Sequence, residues 1–188
     1  MAAHIRILHV LDHSIPLHSG YAFRTRAILE HQRALGFETI QLTASRYNLA
    51  PSGREDVDGI TFYRTARSSE LLHKLPVINQ LTLVRELRDR LDEVASETKP
   101  DVIHAHSPCL TALAALPVAR RRGIPLAYEM RALWEDGAVD HGTDRAGSLR
   151  YRASRALETY TLRRVGAVTT ICEGLRGSPR RRATRWLR

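Results

Sequence analysis

The sequence predicts an α/β fold, a mostly parallel sheet with helices packed on both faces. Short β-branched, apolar runs alternate with longer stretches whose apolar residues recur at three- and four-residue steps. Glycines and prolines fall between these runs, where one element must stop and the next begin. The length of 188 residues, 43% hydrophobic and 26% charged, suits a single domain with one buried core.

His4 to Leu11 reads as the first strand, and a loop carrying Pro16 and Gly20 leads into a helix from Tyr21 to Leu35 that Gly36 stops. Phe37 to Thr43 and Gly59 to Arg64 read as strands, with a Pro-, Gly- and Asp-rich turn region between them. A second helix is expected from about Val77 to Glu97, where Leu81, Val84, Leu87, Leu91 and Val94 form an apolar stripe. Pro100 ends it, and Asp101 to His106 forms a short buried strand. Pro108 to Gly123 returns as a helix with an expected kink at Pro117, followed by a strand from Gly123 to Tyr128. A charged loop, a helix from Ser148 to Val165 and a strand from Ala167 to Ile171 complete the pattern.

The net charge of +9 is concentrated at one end: residues 178–188 hold five arginines and no acid, leaving four excess positive charges for residues 1–177. The expected organisation is therefore one domain over 1–177 and a basic, irregular tail over 178–188. Without stacking aromatics among its basic residues, the chain is not expected to bind nucleic acid specifically. No apolar run approaches the roughly 18 to 20 residues that cross a bilayer, so a cytoplasmic chain is expected, with peripheral membrane contact as its closest approach to lipid. Cys109 and Cys172 stand beside apolar segments and suit reduced, packed thiols.

In a doubly wound parallel sheet, ligands bind beyond the carboxyl ends of the strands, so the residues there are the candidates. After the first strand, Ser19 and Gly20 stand at the mouth of a helix, where backbone N–H groups can meet an anion or hydroxylated ligand. A glycine needed only for the turn is the competing reading. No G-x-G-x-x-G dinucleotide fingerprint is present, and no cofactor is expected. Alternation places His104 and His106 on the same side of the sheet; His104 reads as packed, and His106, at the strand end, belongs in the site. A metal held by His104, His106 and Cys109 is conceivable by ligand type but lacks a supporting carboxylate or cysteine cluster, so no metal is expected. After the next strand, Glu129, Arg131 and Glu135 flank Trp134, a set that suits sugar hydroxyls and phosphate but also a mutual salt-bridge network.

The segments DVIHAHSP (101–108), YEMRALWED (128–136), GSLRYRASRALE (147–158) and VTTICEGLRG (168–177) together resemble the N-terminal domain of family 4 glycosyltransferases, and are most similar to the bacterial exopolysaccharide- and exosortase-associated subfamily. The resemblance covers residues 4–177. It implies a Rossmann-like three-layer domain forming one half of a GT-B fold, and a retaining transfer of a hexose from a nucleotide sugar to a glycan or lipid-linked acceptor. By position, Gly20 matches the first-loop glycine near donor phosphate and acceptor, and His106 matches the histidine that contacts the transferred sugar. Glu129 and Arg131 fall in the subfamily's acceptor-side loop. Nearly all nucleotide contacts belong to a C-terminal domain with paired glutamates, which this sequence does not contain. The expectation is a truncated chain, inactive alone. The alternative is a non-catalytic module that binds a sugar or a membrane acceptor.

Overall fold

The computed structural model describes residues 4–46, 53–68, 74, 76–133, 145 and 147–182. The strands are β1 (Arg6–Leu11), β2 (Glu38–Thr43), β3 (Gly53–Val57), β4 (Ile60–Arg64), β5 (Val102–His106), β6 (Leu126–Met130) and β7 (Ala167–Thr170). The helices are α1 (Gly20–Ala34), α2 (Pro76–Thr98), α3 (Cys109–Arg122), α4 (Leu149–Leu162) and α5 (Glu173–Arg182). One sheet runs in the order β3-β4-β2-β1-β5-β6-β7. Every pairing is parallel except β3 with β4. This is the expected Rossmann-like architecture.

The two faces of the sheet differ in chemistry. Leu8, Val10, Ile40, Leu42, Ile103, Ala105, Tyr128 and Met130 share one face and pack with Leu83, Leu87, Leu91 and Val94 of α2 and the alanine-rich side of α3. Each leucine buried there contributes roughly 1.5–3 kcal/mol. Strand alternation sends His9, His104, His106 and Glu129 to the other face. Among the described residues, α1 is the helix that covers it, through Ala22 and Leu29 against Leu11 and Phe62. One face therefore holds the larger core, while the other joins a smaller one to the polar residues named above.

Several local expectations change. The turn region between β2 and β4 contains a strand, β3, of sequence GREDV. It lacks an apolar alternation because it is a sheet edge, where charged side chains discourage pairing with another chain. Asp58 and Gly59, at φ of 51° and 76°, make the two-residue hairpin that joins it to β4. On α2, Leu81 is 67% exposed and Leu83 is buried in its place. Leu83, Leu87 and Leu91 follow four-residue steps, whereas Leu81 lies six residues before Leu87, well round the helix. The third helix runs unbroken through Pro117. Neither cysteine forms a disulfide, and Cys172 is exposed rather than packed. The last helix, α5, continues to Arg182 and so takes in the first residues of the segment expected to be irregular. Arginine is a good helix former, and lack of an apolar stripe does not prevent a helix from propagating once begun. Among the described residues no helix is long and apolar enough to cross a membrane.

Candidate active site at the switch point of the sheet

From β1 the chain moves outward through β2 to β4, then returns to β5 and moves the opposite way through β6 and β7. The order therefore reverses between β1 and β5, which is where parallel α/β sheets open a crevice at their carboxyl ends. The loop after β1 is fixed there by Arg64, buried at the end of β4. Its guanidinium donates to Ser14 Oγ at 2.6 Å, Thr43 Oγ1 at 3.2 Å and the Ile15 carbonyl at 3.0 Å, and pairs with Glu55.

Glu129 is the centre of the site. In β6 it lies beside His106 in the β5–β6 register. Its Oε2 accepts from Arg131 Nε at 2.7 Å and faces His106 Nδ1 at 2.7 Å, while Oε1 accepts from Arg24 Nη2 at 3.0 Å. Burial pushes this carboxyl up, but His106 and Arg131 outweigh burial and hold it well below the usual carboxylate range. Arg131 also donates to Thr25 Oγ1 at 2.9 Å and the Tyr21 carbonyl at 3.2 Å, and lies over the Tyr21 ring. These contacts pin the start of α1 to the end of β6. The two guanidinium groups and one carboxylate leave one positive charge in excess, and Arg24, with 44% of its side chain exposed, presents it to solvent.

His106 has no exposed surface, and both its nitrogens are engaged. Nε2 lies 2.9 Å from His9 Nδ1, and Nδ1 lies 2.7 Å from both Glu129 Oε2 and Arg131 Nη2. Only one partner can use Nδ1. A carboxylate requires a donor there, and Arg131 keeps Glu129 Oε2 as the acceptor of its Nε, so Nδ1 carries the hydrogen and donates to Glu129 while Arg131 Nη2 makes no hydrogen bond to the ring. Burial lowers the affinity of His106 for a second proton and keeps the ring neutral.

Ser19 and Gly20 stand where the sequence places them, at the start of α1. Ser19 caps the helix, accepting from the Ala22 N–H at 3.1 Å, and its hydroxyl is 2.9 Å from His13 Nε2. The other nitrogen of His13 contacts Asp12 Oδ2 at 3.0 Å. Ser19→Ala is expected to lower stability by about 1 kcal/mol, the ordinary value of such a cap, read from the urea midpoint at unchanged m. Gly20 has no left-handed backbone, and a Cβ there would meet nothing within 4 Å. The turn therefore does not require glycine. Glu135, with Trp134, lies outside the described residues.

The structure thus brings Gly20, His106, Glu129 and Arg131 to one crevice and adds Arg24, His9 and His13, which the sequence reading did not select. Arg24 sits on a polar helix face like any solvated arginine, with nothing in its spacing to distinguish it. His9 carried a readable signal, a histidine inside an apolar strand, as His104 does.

Residues 19–185 match the family described as glycosyl transferase 4-like domain. The chain belongs to that family. Among solved structures, this glycosyl transferase 4-like domain is similar to sucrose-phosphate synthase from Thermosynechococcus elongatus, with a TM-score of 0.69 at 14% identity over 97% of this chain and 47% of that one. UDP-N-acetylglucosamine 2-epimerase from Rickettsia bellii gives 0.56 at 11% identity, covering 95% of this domain and 42% of that chain. The calicheamicin glycosyltransferase CalG4 gives 0.53 at 13% identity, covering 89% and 46%. At such identities the likeness establishes the fold, one half of a GT-B arrangement, and the domain spans less than half of each of these three chains. No curated protein sequence matches it.

Proposed function

We propose that this domain is the acceptor-side wall of a retaining glycosyltransferase, which moves a hexose from a nucleotide sugar to a glycan or lipid-linked acceptor in exopolysaccharide or cell-envelope synthesis. The observation that carries the reading is the crevice itself: in a glycosyl transferase 4-like domain, a cationic cluster of Arg24, Arg131 and Glu129 stands beside the open helix start at Gly20, at the point where the strand order reverses.

The chemistry of sugar transfer suits these groups. Departure of a nucleoside diphosphate develops negative charge, which an exposed guanidinium and helix N–H groups stabilise, while the oxocarbenium-like sugar needs oriented hydroxyl partners more than a strong base. Glu129 and Arg131 supply such partners, with Ser19 and Glu135 as further substrate contacts. His106 acts through them, because its neutral ring holds Glu129 in place by Nδ1 rather than exposing a nitrogen to substrate. The nucleotide is held chiefly by a second domain, in the same polypeptide or a partner, so transfer requires both halves and residues 4–182 alone do not turn over. The enzyme works in the cytoplasm, where its acceptor can be presented at the inner face of the membrane.

The test is turnover of this domain paired with a nucleotide-binding half. His106→Ala is expected to lower turnover by about 10²–10³-fold, the scale seen when a preorganised polar group is removed from such a site. Unchanged turnover removes His106 from the mechanism, and acceptor binding with no turnover in any pairing moves the domain to a binding module.

A further inference from the structure

The strongest unassigned feature is a cluster of three imidazoles between β1 and β5. His9 and His104 are direct partners in the β1–β5 register, and His106 follows His104 on the same face. One ring nitrogen from each of His9, His104 and His106 lies within 4.8 Å of the others. The ring centroids of His104 and His106 are 4.2 Å apart, with His9 at 5.3 and 5.2 Å from them.

The surroundings say what the rings are arranged for. The outer nitrogen of His9, Nε2, faces Gln32 Oε1 at 2.8 Å, and that of His106, Nδ1, faces Glu129 Oε2 at 2.7 Å. Gln32 Oε1 is an acceptor, and the Glu129 carboxylate requires a donor at Nδ1 although Arg131 Nη2 lies equally close at 2.7 Å, so both outer nitrogens carry hydrogen. The inner nitrogens, His9 Nδ1 and His106 Nε2, then direct lone pairs at each other across 2.9 Å. A positive centre between them resolves the conflict. A shared proton would join only these two rings and leave His104, the third member of the cluster, out. Rotating the Gln32 amide removes that conflict alone and leaves His104 Nε2, which is buried and without a hydrogen-bond partner among the described residues. Gln41, fully buried and the register partner of His9, likewise has no partner for either amide atom. Buried polar atoms are normally satisfied, and two such side chains beside one histidine pair point to a missing ligand.

We propose that His9, His104 and His106 bind a divalent cation of the zinc class through three neutral imidazole nitrogens, with Glu129 and Gln32 orienting two of the rings from behind. Imidazole suits zinc, nickel and copper rather than magnesium or calcium, and three histidines leave a fourth position for water. Hydrogen bonds from ligating rings to a carboxylate or carbonyl fix the tautomer and raise ligand basicity. With zinc–nitrogen distances of about 2.0–2.1 Å, tetrahedral ligands stand about 3.3 Å apart, so the His9–His106 pair need open by only a few tenths of an ångström. The sequence offers His104 and His106 with Cys109 as a possible ligand set and, lacking a supporting carboxylate or cysteine cluster, leads to no expected metal. The third ligand is His9, contributed from a strand some 95 residues earlier. The ion ties β1 to β5 at the switch point and so positions Glu129, a role that goes beyond sugar transfer and does not depend on it.

The experiment is a Co2+ titration of the 188-residue chain after treatment with chelator and removal of the chelator. One tight equivalent with the visible absorption of tetrahedral Co2+, displaced by Zn2+, is expected. His104→Ala should weaken binding by more than about 100-fold while circular dichroism is unchanged. His31→Ala, at an exposed histidine, should leave it intact. No tetrahedral Co2+ signal in the wild-type chain, or wild-type affinity in His104→Ala, overturns the site. If His104→Ala does not fold, Gln32→Ala on half-buried α1 surface decides: a loss of about 10–100-fold supports the site and unchanged affinity contradicts it.

Discussion

Replacing Glu129 by alanine is expected to destabilise the domain by about 3–5 kcal/mol, the scale for breaking a buried ion pair by removing one partner. Its side chain is 5% exposed and that of Arg131 is 7% exposed, so neither charge can turn to water when the other is lost. The substitution removes the acceptor of Arg131 Nε and Arg24 Nη2 and the partner of His106 Nδ1 together. Buried donors left without acceptors account for most of the cost, since the pair as a whole gains little over a well-packed apolar equivalent. Glu129→Gln keeps the shape and one carbonyl acceptor, and should lose distinctly less. Urea unfolding with unchanged m distinguishes them; a loss below about 1 kcal/mol for Glu129→Ala would show that the cluster is solvated and not a buried network.

Acid should unfold the domain unusually early. Burial is the largest influence on His9, His104 and His106 and lowers all three, with His104 pushed down to about 3. In the unfolded chain these rings take up protons near the ordinary value of about 6.5, while the folded chain refuses them. The unfolded state therefore binds more protons as pH falls below that value, and stability declines by up to about 1.4 kcal/mol per pH unit for each histidine kept neutral. Glu129 adds to this at lower pH. Its folded-state pKa is depressed, so its contribution is complete above the usual carboxylate range and is lost as pH falls through and below it. The guanidinium groups of Arg131 and Arg24 oppose a proton added to His106, and that of Arg131 opposes one added to His104. Unfolding free energies, measured in chelator from pH 8 to pH 4, should be level above 7 and fall steeply below 6.5. A flat profile between 7 and 5 would mean that water reaches the histidines.

How far the sequence leads depends on the range of the signal. The core face was readable because Leu87, Leu91 and Val94 repeat at helical steps, and because β1, β5 and β6 are short apolar runs closed by glycine or proline. The edge strand β3 was not, since GREDV satisfies its backbone against β4 and has no core to face, so it carries no hydrophobic period. The Asp58-Gly59 turn was its remaining trace. At the site, position at or beyond the carboxyl end of a strand is enough to select Gly20, His106, Glu129 and Arg131. It could not select Arg24, which reaches Glu129 across 105 residues of sequence, nor pair His9 with His104, because register between distant strands is fixed by packing and not by local composition. Ser19 shows the converse: its place selects it as a ligand contact, and the structure gives its hydroxyl a helix to cap.

In the proposed function, sugar is recognised at the crevice between β1, β5 and β6. The most direct measurement is a titration of the 15N-labelled chain with a lipid-phosphate analogue bearing a terminal hexose, following amide shifts. Shifts concentrated at Ser19 to Arg24, Ser107 and Glu129 to Arg131, and lost in Arg131→Ala, are the predicted result. Saturable shifts confined to other surfaces, or a crevice that stays silent while the acceptor is turned over by the paired enzyme, would contradict it.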